Sequence, residues 1–127
     1  MNIEDFRNYC LAFPYAEETL PFDETTLVYK VGGKMFAVGD MESFDRIVVK
    51  CEPEEAEALR ERYPEVTEAW HFNKRWWNAL PTAGDLPESF LREQIRNSYL
   101  LVVQRNVTPR SLRDEIEAVI AAGTLPE

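Results

Sequence analysis

Proline and glycine cut this chain into short elements at regular intervals. Pro14, Pro21, Pro53, Pro64, Pro81, Pro87 and Pro109 fall between or at the starts of patterned runs, and Gly32-Gly33 splits one alternating stretch in two. Proline cannot continue a helix or donate within a sheet, so each one is a boundary or a first turn. Two adjacent glycines between strand-like runs favour a two-residue turn, because both residues adopt positive φ without steric cost. The chain is therefore confined to short helices and hairpins.

The pattern between boundaries supplies the elements. Asn2 can cap a first helix over about 3–13, with Ile3, Phe6, Cys10 and Phe13 as its apolar stripe and Pro14 as its stop. Residues 17–22 predict a short edge strand containing Pro21. Residues 26–31 and 34–38 form a hairpin about the glycine pair, and 46–50 a further strand. In a simple turn Lys30 and Lys34 would share a side. Pro53 opens a second helix to about Tyr63, with Ala56, Leu59 and Tyr63 inward and Glu54, Glu57 and Glu61 outward. Strands are expected around 66–70 and 76–80. The third helix follows Pro87, with Leu91, Ile95, Ser98, Tyr99 and Val102 on one face. Thr108 is the expected cap of a fourth, which Gly123 ends.

The order α-β(3-4)-α-β(2)-α-α predicts an α+β domain of two layers, an antiparallel sheet with helices on one face. With 127 residues, 45% of them hydrophobic, residues 1–127 are expected to form a single domain around one core. No apolar run is long enough to span a membrane, and the acidic start Met1–Asp5 does not read as a signal peptide. Cys10 and Cys51 lack metal-type spacing and are read as reduced, buried thiols of a cytoplasmic protein.

The net charge of −9 repels nucleic acid and anionic membrane on average. It is unevenly spread. Residues 51–68 carry seven glutamates against two arginines, whereas 69–110 carry six cations against three carboxylates. The second segment contains His71-Phe72-Asn73-Lys74-Arg75-Trp76-Trp77-Asn78, which holds the only histidine and two adjacent indoles. Strand alternation would place Trp76 and Trp77 on opposite faces, one in the core and one half exposed. Lys30, Lys34, His71, Asn73, Lys74, Arg75 and Trp77 are the candidate binding residues. Cations can meet phosphates, the amide can bond a base edge and an indole can stack. The structural alternative is a core tryptophan covered by lysine stems, with Asn73 holding a turn.

Five ordered stretches resemble the MmcQ/YjbR-like family: Glu18-Thr19-Leu20-Pro21-Phe22, residues 27–36 around the glycine pair, Val49-Lys50-Cys51-Glu52-Pro53, His71–Trp77, and Asn97–Val102. Glu52 stands where the family pattern has aspartate, and Phe72 where other apolar residues occur. The resemblance implies a CyaY-like, secretion-chaperone-like fold and carries the label of a predicted DNA-binding, double-wing protein. Secretion chaperones hold partner segments against a sheet, so an acidic protein-interaction adaptor is the alternative to DNA binding.

No nucleophile elbow, phosphate loop or catalytic acid pair appears, and no enzyme, cofactor or metal is expected. A lone His71 has no second ligand beside it. Glu54, Glu57 and Glu61 could offer oxygen ligands to a hard cation but read as a solvated helix face. Ser98 and Tyr99 read as core groups with satisfied hydroxyls.

Overall fold

The computed structural model describes residues 1–123 and 125–127. Four helices and six strands follow in the order α1 (Ile3–Leu11), β1 (Ala16–Thr19), β2 (Thr26–Val31), β3 (Lys34–Asp40), β4 (Arg46–Lys50), α2 (Pro53–Arg62), β5 (Thr67–Glu68), β6 (Trp77–Pro81), α3 (Glu88–Asn106) and α4 (Arg110–Ala121). All strand pairs are antiparallel, in the spatial order β1-β2-β3-β4-β6-β5. This is the two-layer α+β architecture that the sequence predicts.

Local chemistry explains the elements. The Asn2 side chain accepts from the Asp5 N–H at 2.8 Å and caps α1. Gly32 and Gly33 take φ of 57° and 78°, which closes the β2–β3 hairpin in two residues. The fourth helix departs from expectation. Pro109 is its N-cap residue, with no side-chain cap bond, so Thr108 does not cap it. The first edge strand is also shorter than expected, because the chain turns away after Thr19.

One face of the sheet carries the main core. Phe6 and Cys10 of α1, Tyr29 and Val31 of β2, Phe36 and Ala37 of β3, Ile47 and Val49 of β4, Ile95 and Tyr99 of α3 and Ile116 of α4 are buried together. Leu59 and Tyr63, at the end of α2, pack against the same cluster. A register shift between Tyr29 and Lys30 makes Phe36 the extra residue of a bulge, so consecutive Phe36 and Ala37 both enter this core. Gly39 lets the sheet meet α1, since a Cβ there would lie 2.8 Å from the Phe6 ring.

Polar bonds fix helix to sheet. Ser98 of α3 donates to the Phe36 carbonyl at 2.6 Å and accepts from the Lys50 N–H at 2.8 Å. Tyr29 donates to Glu18 at 2.7 Å, and Arg7 makes two bonds to the same carboxylate at 2.7 and 3.1 Å. The Arg7 bonds hold the Glu18 carboxyl below its ordinary pKa, ahead of a smaller opposing effect of burial.

Candidate functional site

Among the described residues, no helix packs on the other face of the sheet. Val28, Val38, Val48 and Ala79 point to it from four neighbouring strands, and Trp77 joins them at the start of β6. The segment between β5 and β6 lies over them, with Ala69, Phe72 and Trp76 in the cluster or packed on it, and Met35 of β3 packs there too. The result is a groove of about 780 Å³ with an apolar floor, a size typical of ligand sites. Phe22, Trp70 and Phe72 form aromatic walls. Phe22 is 62% exposed and Trp70 69%, the two most exposed large hydrophobic side chains among the described residues.

The rim is acidic. Asp23, Asp40 and Asp45 line the groove against one cation, Arg46. Asp23 accepts from the N–H groups of Thr25 and Thr26 at 2.9 and 2.7 Å, which hold its carboxyl below the usual range. Asp40 accepts from the N–H groups of Glu42 and Ser43 at 2.8 and 3.2 Å. Two of the three carboxylates are therefore fixed in place by the loops that carry them.

The loop walling the groove is built by Asn73 and His71. His71 has φ of 70°, which reverses the chain after Trp70. The Asn73 side-chain oxygen accepts from the Arg75 N–H at 3.1 Å, and the Asn73 backbone carbonyl accepts from the N–H groups of Trp76 and Trp77, both at 3.0 Å. The Lys74 ammonium lies 5.2 Å from the centre of the Trp70 ring, and the His71 ring meets Trp70 at 6.1 Å.

The predicted site residues separate into three sets. His71 and Asn73 line the groove, and Lys74 lies on the outward Trp70 beside them. Trp77 is 6% exposed, with its ring 5.5 Å from Phe72, so it is floor and offers no stacking surface. Trp76 is half-buried against the same cluster. It lies in the turn before β6, outside strand alternation, so the two indoles are not divided between the faces. Lys30 pairs with Met35 and Val31 with Lys34, so Lys30 shares the open face with Met35 while Lys34 shares the helix side with Val31. The hairpin thus holds its two lysines apart. Among the described residues, none of Lys30, Lys34, Lys74 and Arg75 is in an ion pair.

Other candidates are placed as well. Glu54, Glu57 and Glu61 are exposed along α2. The Ser98 and Tyr99 hydroxyls both donate to backbone carbonyls within or beside the core. Cys10 is fully buried, and burial raises its thiol pKa well above the usual value. Cys51 is half-buried, and burial is the largest cause of its rise to about 11. The groove residues Phe22, Asp23, Asp40, Asp45 and Trp70 are absent from the sequence prediction. Ile47-Val48-Val49 was the available signal. An unbroken apolar run in a strand requires burial on both faces, including the one without a helix.

Fold and groove together define a class: a small α+β domain with helices on one side of an antiparallel sheet and an aromatic-walled hollow on the other. The chain belongs to the YjbR family, whose model matches residues 11–101. It is similar to the uncharacterised protein YjbR of Escherichia coli K12, with 32% identity over 114 residues, 89% of this chain and 95% of that protein. It is also similar to YbdF of Escherichia coli O157:H7, with 29% identity, covering 79% and 83% of the two chains. A Deinococcus radiodurans protein with the DUF419 domain superposes with a TM-score of 0.83 at 34% identity, covering 91% of this chain and 88% of its own. A Pseudomonas syringae protein shares the fold at a TM-score of 0.68 and 23% identity, covering 80% and 98%.

Proposed function

We propose that this chain is a binding module that receives an extended segment of a partner protein on the open face of its sheet. The segment would carry an apolar side chain for the groove floor and lysine or arginine beside it. One observation carries this reading: an apolar hollow walled by exposed Phe22 and Trp70 has a rim of three carboxylates and one guanidinium. Exposed aromatic walls are costly in a free monomer and suit a contact surface. The acidic rim selects a cationic partner and disfavours an anionic one. Titration of a short peptide alternating leucine and lysine, followed by tryptophan fluorescence, tests the reading. Saturable binding is expected for this peptide and not for its leucine–glutamate counterpart. Equal binding of both, or of neither, contradicts it.

DNA binding is the second reading, and one observation favours it. Lys74 sits over exposed Trp70, and neither it nor neighbouring Arg75 is engaged by a carboxylate among the described residues. Two such cations correspond to a log–log salt slope of about −2. Duplex DNA titrated at low salt should then bind, and Lys74→Glu should abolish binding. No binding at low salt removes this reading.

A further inference from the structure

Asn73 and Trp77 also line a second cleft, of about 430 Å³, whose other walls are Lys50, Trp76, Arg105 and Asn106. Lys50 ends β4, Arg105 and Asn106 end α3, and Asn73 comes from the loop before β6, so three distant parts of the chain meet here. The Lys50 N–H bond to Ser98 fixes the strand end against α3.

The hydrogen-bond inventory of this cleft is one-sided. The Lys50 ammonium donates to the Asn106 side-chain oxygen at 2.8 Å and lies 5.1 Å from the centre of the Trp76 ring. The Asn73 side-chain oxygen accepts from the Arg75 N–H. Each amide oxygen faces a group that can only donate, so both amide orientations are determined and both NH₂ groups remain as donors. The ammonium keeps further protons, and Arg105 keeps N–H groups beyond the one bonded to Glu52. The amide acceptors are engaged while donors remain. Among the described residues Lys50 is in no ion pair and Arg105 is paired with Glu52, so Lys50, Arg105 and Glu52 together leave one net positive charge. Burial, then the charge of Arg105, pulls the Lys50 ammonium below its usual pKa against a smaller opposing effect of Glu52, and a bound anion would offset that destabilisation of the charged form.

We infer that this cleft binds a carboxylate, held by the Lys50 ammonium, the Arg105 guanidinium and the Asn73 and Asn106 amides over the Trp76 ring. A single net charge matches a monoanion and not a phosphate dianion. The carboxylate can belong to a small organic acid or to a peptide C-terminus. The cleft shares Asn73 and Trp77 with the apolar groove, but its charged groups, Lys50 and Arg105, lie outside the groove, so a carboxylate can bind here whether or not a peptide binds there.

The test is a titration of isotope-labelled protein with benzoate, a short peptide with a free C-terminus, the same peptide amidated, and inorganic phosphate. The readout is the side-chain NH₂ resonances of Asn73 and Asn106. Saturable shifts are expected with benzoate or the free peptide and not with the amidated one. Tighter binding of benzoate assigns the small acid, and tighter binding of the free peptide assigns the C-terminus. Lys50→Gln should weaken binding by about tenfold or more, the worth of one charge-assisted bond. Asn106→Asp retains a partner for Lys50 but cancels the net charge, and it should weaken binding similarly even if Lys50→Gln fails to fold. No saturable shift, tighter binding of phosphate, or full affinity in folded Asn106→Asp protein would overturn the assignment.

Discussion

The two faces of the sheet use similar residues and meet different fates. On the helix side Phe6, Phe13, Tyr29, Phe36 and Tyr99 interlock at ring separations of 4.6–5.9 Å, and Phe6, Tyr29, Phe36 and Tyr99 are wholly buried. On the other side Val28, Val38, Val48 and Ala79 form a smaller cluster with Ala69 and Trp77, with Met35, Phe72 and Trp76 packed against it and no helix among its members. Hydrophobic sequence therefore does not say which face will be closed by the chain itself. The helices fill one side; on the other the valines are buried as a groove floor, and Phe22 and Trp70 of its walls are what stays exposed for contact.

This contrast can be broken by substitution, beginning with the largest effect. Phe36→Ala removes a ring from the centre of the helix-side core, and denaturant unfolding should show a loss of about 4 kcal/mol. A loss below about 1 kcal/mol would mean that this face is not close-packed. Val49 and Val48 make a sharper pair, being adjacent, of one residue type and on opposite faces. Val49→Ala should cost about 2.5 kcal/mol and Val48→Ala about 1 kcal/mol, since Val48, though buried, borders the groove, and the space left there opens to it instead of forming an enclosed cavity. Equal costs would erase the distinction between the faces.

Two smaller effects refine it. Glu18 has a folded-state pKa below its ordinary 4.5, so its contribution is present above that value and is lost as pH falls through the folded one. Acid titration of stability should show this loss, and Glu18→Gln should flatten that part of the profile. Trp70→Ala should change stability by less than about 0.5 kcal/mol, because the side chain is mostly exposed, while weakening binding of the leucine–lysine peptide. A large loss of stability would make Trp70 a packing residue instead.

Much of the fold was legible from local chemistry. Gly32-Gly33 located the hairpin, Pro53 the start of α2, and Asn2 the first cap, because each acts through its own backbone or its nearest neighbours. The candidate site was legible only in part. The loop containing His71, Asn73 and Lys74 does border the groove, but Trp77 reads alike as floor or wall until the strand start is known. Lys30 and Lys34 look paired in sequence, whereas their register across the turn divides them between faces. Phe22, Asp40 and Trp70 become neighbours of one hollow through strand order, and Lys50 approaches Asn106 across 56 residues of chain. Neither arrangement leaves a periodicity to read.

The open face as a contact surface is tested most directly by mapping amide and indole chemical shifts while the leucine–lysine peptide is added. The account predicts saturable changes at Val38, Val48, Ala79 and the indoles of Trp70 and Trp77, with residues inside the helix-side core unmoved. Changes confined to α2 and α4, or spread without saturation over the acidic surface, would contradict it.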